Sequence, residues 1–162
     1  MTLEKLRLAF LSDSVEEFLS CKPETFDEVV GFSPFEDSLP LISLAVRFGS
    51  RNIFDILLTK SIDPNKVGSW NWSPLLEAIA SRDTYFVSRL LEKGADVEQM
   101  GGKATTWPLL EAAFTEDERI LALVMKQADS GYLTWCIGNL ESAGEEKYER
   151  MLQQLREELA RR

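Results

Sequence analysis

Histidine is absent from the 162-residue chain, and cysteine occurs only at Cys21 and Cys136. The missing histidine removes the commonest general base, the Ser-His and Cys-His nucleophile pairs and most catalytic zinc sites. Two widely separated cysteines form neither a disulfide framework nor a metal-ligand spacing, and they read as free thiols in a reducing compartment. Positive charge is scarce as well. Eighteen Lys and Arg stand against 27 Asp and Glu, a formal net charge of −9, which argues against the clustered cations of a nucleic-acid surface. No charge-free stretch approaches the roughly 20 residues of a membrane helix. The N-terminal MTLEKLRLAFL carries Glu4, Lys5 and Arg7 with no small-residue cleavage site, and Thr2 stands where myristoylation needs glycine. These absences lead us to expect a cytoplasmic chain with no cofactor, no metal, and neither nucleic acid nor membrane as partner.

The length suits one domain with a sizeable core. Its charge is uneven: residues 1–40 hold nine acids and three bases, whereas residues 41–100 hold seven of each. Two readings of this acidic first quarter stand, a solvated cap or a surface for a basic partner.

Self-similarity organises the centre. Three segments align: Pro40-Leu41-Ile42-Ser43-Leu44-Ala45-Val46-Arg47-Phe48-Gly49 with Ile53 to Leu58; Ser73-Pro74-Leu75-Leu76-Glu77-Ala78-Ile79-Ala80 with Phe86 to Leu91; and Trp107-Pro108-Leu109-Leu110-Glu111-Ala112-Ala113 with Ile120 to Met125. Ala45 to Ala78 is 33 residues and Ala78 to Ala112 is 34. Leu75, Ala78 and Ile79 give the first helix of the middle unit one apolar face. Ser73 before Pro74 reads as a helix cap. Phe86, Val87, Leu90 and Leu91 form the second helix's stripe, and Gly94 suits the left-handed position that ends it. This period with two short helices per unit resembles the ankyrin repeat. The family's usual first-helix histidine is replaced by Ser43, Leu76 and Leu110, and Pro40-Leu41 and Trp107-Pro108 replace Thr-Pro in the outer units.

The resemblance implies an all-α solenoid, a single ankyrin-repeat domain over residues 1–162. It divides into an N-terminal capping pair and long loop (1–37), repeats over 38–70, 71–104 and 105–131, and a C-terminal helical cap (132–162). Residues 2–12 and 14–21 read as the first helical pair. Lys22 to Leu39 reads as an elongated first hairpin with a short helix over 24–30. Tyr132 to Leu140 reads as a short apolar helix. Glu145 to Arg162 reads as a charged helix with Tyr148, Leu152, Leu155 and Leu159 on one stripe, sealing the array.

Little here suits chemistry. Glu116-Asp117-Glu118 falls in a turn, and both cysteines read as buried apolar side chains without an activating base. Gly101-Gly102-Lys103 lacks the upstream glycine and the following Ser or Thr of a phosphate loop. The chain is therefore expected not to be an enzyme. The resemblance implies instead that a partner protein is held by the hairpin tips and the ends of the first helices. In this sequence those are Glu36 and Asp37; Ser69, Trp70 and Trp72; Lys103 and Thr106; Arg47 and Phe48; Ser81 and Arg82; and Phe114, Thr115 and Glu116. Aromatics and arginine dominate many interfaces, yet Trp70 and Trp72 also suit local hairpin packing, and both readings stand. Trp107, at a helix start, reads as structural. The implied function is a monomeric inhibitor of a basic enzyme or toxin, such as an immunity protein, with a scaffold, an adaptor or a microbial effector as the alternative.

Overall fold

The computed structural model describes residues 2–23, 25–33 and 37–162, so Glu36 and part of the long first loop lie outside the described residues. Most of the described chain is helical. Helices α1 (Leu3–Ser12) and α2 (Val15–Ser20) are followed by two short strands, β1 (Val29–Val30) and β2 (Leu39–Pro40). Four helix pairs come next: α3 (Leu41–Phe48) with α4 (Arg51–Leu58), α5 (Pro74–Ala80) with α6 (Thr84–Glu92), α7 (Pro108–Phe114) with α8 (Glu118–Met125), and α9 (Ser130–Ala143) with α10 (Glu149–Ala160). The first members meet in sequence, α1 on α3, α3 on α5, α5 on α7 and α7 on α9. Among the second members, α2 meets α4, α6 meets α8, and α8 meets α10.

Short helices need their ends satisfied, and the sequence supplies caps at most of them. Ser73 Oγ accepts the Leu76 N–H at 3.2 Å with Pro74 in the first turn, as the Ser-Pro pair predicts. Asp83, Asp117 and Asp129 cap α6, α8 and α9 in the same way. Two caps come from another pair. Both carboxylate oxygens of Asp13, in the turn after α1, accept the Asn52 and Ile53 N–H groups of α4 at 3.0 Å. Trp107 offers α7 no side-chain cap, and the Tyr132 hydroxyl of α9 accepts the Leu109 N–H there. Burial pushes the ionisation of that hydroxyl upward.

The core runs along the seams between pairs. Leu41, Ala45, Leu75, Ala78, Leu109 and Ala112 are fully or almost fully buried, and the alanines permit close approach of the first helices. Phe54 of α4 and Phe86 of α6 meet edge to face, 4.8 Å between centroids. The loops after the second helices are joined too. Asn65 accepts the Asp96 N–H at 2.7 Å through its side-chain carbonyl and the Gln99 side-chain amide at 3.0 Å through its backbone carbonyl.

The expected helix over 24–30 does not form over its described residues. A turn at Phe26 and Asp27 leads into β1, where Val29 pairs with Pro40 and Val30 with Leu39, antiparallel. Two adjacent β-branched residues favour an extended backbone, and the Glu28 carbonyl accepts the Leu41 N–H at the start of α3. At the other end, a 3-10 turn over Glu146–Tyr148 precedes α10, so the charged C-terminal stretch is not one helix.

Ser43 of α3 is fully buried, and its hydroxyl has no hydrogen-bond partner among the described residues. A buried polar group without a partner costs about 1–3 kcal/mol. Ser43→Ala should therefore raise the urea midpoint at unchanged m value, with stability gained on the order of 1 kcal/mol. A lowered midpoint would mean that the hydroxyl has a partner.

Candidate functional site

The loops that precede α5 and α7 form the candidate site, and backbone contacts hold them against each other. Ser69 N–H donates to the Ser38 carbonyl at 2.7 Å, and Gly102 N–H donates to the Trp70 carbonyl at 2.8 Å. The contact is close enough to require glycine at two places. A Cβ on Gly68 would fall on the Ser38 carbonyl oxygen, and one on Gly101 would fall on the Asn71 carbonyl. These glycines are 33 residues apart, the spacing of the aligned helices.

Inside this ladder, Trp70 and Trp72 face different environments. Trp70 is 59% exposed, its indole N–H donates to Asp37 Oδ1 at 3.1 Å, and the Lys103 ammonium sits 5.2 Å from its ring centroid. Trp72 is half-buried against the core, with its ring beside Gly102. Its indole N–H donates to Glu77 Oε2 at 2.7 Å. The 3-10 turn Ser69–Asn71 carries Trp70 and Asn71 at φ of 60° and 56°. A bulky residue in the left-handed region carries strain of about 1–3 kcal/mol. The fold therefore presents the Trp70 ring at a cost.

Glu77 links the parts. Its carboxylate is buried on α5 and accepts from Arg47 Nε and Nη2 of α3, both at 2.9 Å, as well as from Trp72. One α5 carboxylate thus fixes the end of α3 and the indole below the tip. Two cavities open on either side of Trp72. One, of about 350 Å³, is bounded by Asp37, Arg47, Ser69, Trp70, Glu77 and Lys103. The second, of about 460 Å³, is bounded by Lys103, Thr106, Leu110, Glu111 and Phe114. Trp72, Gly102 and Lys103 border both.

The remaining sequence candidates divide by environment. Phe48 is half-buried: it stacks on Phe10 and meets Phe32 edge to face, each 5.8 Å away, and lines neither cavity. Thr115 is buried, donating to the Ala112 carbonyl and accepting the Asp117 N–H, and so closes the turn after α7. Ser69 Oγ accepts the Ser38 N–H at 3.0 Å. Ser81 is exposed and donates to Ala78, outside both cavities. Arg82 and Glu116 are exposed with positive φ, and they line a separate polar groove with Thr115 and Arg150. Phe114 is 39% exposed beside Tyr148. Sequence reasoning passed over Glu77, Leu110 and Glu111 as binding-face residues. The available signal was an acid inside the otherwise apolar Leu75 to Ile79 and Leu109 to Ala113 runs, repeated at 34 residues.

Asp117 and the two cysteines are engaged or buried. Within Glu116-Asp117-Glu118, Asp117 accepts the Arg119 and Ile120 N–H groups and the Arg119 guanidinium. That guanidinium, ahead of the backbone donors, holds its carboxyl below the usual range. Among the described residues, no group of three or more Cys, Asp or Glu is placed to hold a metal ion. No helix among them is long and apolar enough to cross a membrane. Cys21 and Cys136 are buried free thiols, and burial pushes Cys136 up to about 12.

Two outcomes follow from this geometry. Glu77→Ala should lower stability by about 1–3 kcal/mol, because the Trp72 indole and the Arg47 guanidinium lose their shared acceptor. Tryptophan fluorescence should shift in the folded state; a variant with wild-type urea midpoint and spectrum would remove Glu77 from this role. Neither cysteine should react with a thiol reagent at neutral pH until urea unfolds the chain, so prompt labelling of the native protein would contradict the burial. No protein-family model matches the sequence, and no curated protein is significantly similar to it.

Proposed function

We propose that the chain is a divergent ankyrin-type array of about three central repeats, and that it acts as a non-catalytic module holding a partner protein on the face formed by its hairpin tips and first helices. In its specific form, the bound partner is a basic enzyme or toxin whose activity the module blocks, as an immunity protein does. The observation that carries this reading is Trp70, a large aromatic kept exposed by a strained backbone, a hydrogen bond to Asp37 and a lysine over its ring. Strain at a non-glycine residue points to function when the surrounding structure enforces it. Supporting the repeat reading are the 33- and 34-residue spacings, the sequential contacts of first helices, and glycines in register at successive tips. The excess of acid in residues 1–40 would speed encounter with a basic partner.

Affinity capture with the full chain, compared between wild type and Trp70→Ala, tests the proposal. A partner held by wild type should be lost or weakened by about tenfold or more in the variant, as for an interface anchor. Thermal stability should stay close to wild type, because Trp70 lies outside the core. Trp72→Ala should lower both binding and stability, since its ring fills space beside Gly102. Capture that persists unchanged with Trp70→Ala would overturn the assignment of this face. The association rate should fall steeply between low and physiological salt; a salt-independent rate would remove the acidic quarter from the encounter.

A further inference from the structure

Two adjoining cavities, both lined by Trp72, Gly102 and Lys103, make up a groove. The groove crosses from Arg47 on α3, past Ala80 on α5, to Leu110 and Phe114 on α7. Neighbouring helices pack about 8–10 Å apart, so two such steps cover roughly 20 Å. An extended chain rises about 3.3 Å per residue, and about six residues span that length.

The charges along the groove are unequal in their commitments. Glu77 is satisfied by Arg47 and Trp72, and Asp37 accepts from the Trp70 indole. Lys103 lines both cavities. Among the described residues no carboxylate lies within ion-pair distance of its ammonium, whose contact is the Trp70 ring. Apolar surface flanks it on both sides, with Leu39 and Trp70 toward one cavity and Leu110 and Phe114 toward the other. In the wall of the second cavity, Thr106 Oγ1 is shielded from solvent without a hydrogen-bond partner among the described residues. Glu111 on the same cavity disfavours a second acid there.

Resting on the partner-binding reading above, we propose that this groove takes an extended peptide segment of the partner, about six residues long, in which one carboxylate side chain pairs with Lys103 between two apolar side chains that fill the flanking cavities. The segment is recognised by charge complementarity at one point and by burial on each side. A locally acidic segment is compatible with a partner that is basic overall, because the pairing involves a single side chain.

A random heptapeptide library displayed on phage and selected on the immobilised full chain tests this directly. The selected consensus should place a single Asp or Glu between two apolar residues. A synthetic peptide of that consensus, titrated into isotope-labelled protein, should shift the indole N–H signals of Trp70 and Trp72 and leave that of Trp135 in place. Lys103→Glu should weaken that peptide about three- to tenfold, and selection on this variant should replace the acid with Lys or Arg. Failure to enrich any peptide, a consensus without an acid, a consensus unchanged by Lys103→Glu, or binding that leaves both indoles unshifted would each overturn the proposal. A partner lost on Trp70→Ala alongside a failed selection separates the two readings. The face would then bind a folded surface, and the peptide groove would be wrong.

Discussion

One carboxylate holds the candidate face together. Glu77 lies within the apolar Leu75 to Ile79 run of α5, where a charge is costly unless it is paired and hydrogen-bonded. Arg47 reaches it from α3 with two N–H groups and Trp72 reaches it from the loop before α5. The three donors come from two segments, α3 and the loop before α5, so the site has its shape only when both are packed against α5. With Trp72 fixed, the next loop rests Gly102 on its ring, and the Gly102 N–H closes on the Trp70 carbonyl. Trp70 is thereby left with its ring outward, braced by Asp37 and Lys103.

The acidity of the chain has a second use besides its field. Asp13, Asp83, Asp117 and Asp129 satisfy the first N–H groups of helices, and Asp63 and Asp96 satisfy turns between pairs. Asp27 accepts the Asp63 N–H across loops. Helices of six to nine residues leave about half to two-thirds of their backbone donors unsatisfied internally, so such a fold depends on capping acids. Asp13 belongs to the acid-rich first quarter and yet does structural work on α4, as Asp27 does on the loop. Negative charge and backbone satisfaction are therefore not separate properties in this chain.

Several elements were legible in the residues. Ser73-Pro74 announced the start of α5, Gly94 took the left-handed position after α6 (φ 85°), and the apolar periodicities gave the buried faces of both. Trp107 packs at the start of α7 against Trp135, consistent with a structural part. In the long first loop the hairpin is present, with Val29 and Val30 paired to Leu39 and Pro40, but the helix expected over 24–30 is absent over its described residues, because a two-residue pairing leaves no periodic signal. Phe48 and Thr115 resemble surface residues by their place in the alignment, but Phe48 is half-buried against Phe10 and Phe32 and Thr115 is buried.

Sequence by itself determined the short paired helices, the absence of an imidazole, the small residues at the seams and the 33- and 34-residue spacings of Ala45, Ala78 and Ala112. These are local or periodic properties, and periodicity can be read one residue at a time. The tertiary structure decided which tryptophan is a floor and which is displayed, that Glu77 is shared by α3 and the loop before α5, and that Lys103 stands unpaired beside two cavities among the described residues. Those facts depend on distances between residues about thirty positions apart, set by how closely successive loops approach, and no local pattern encodes that distance.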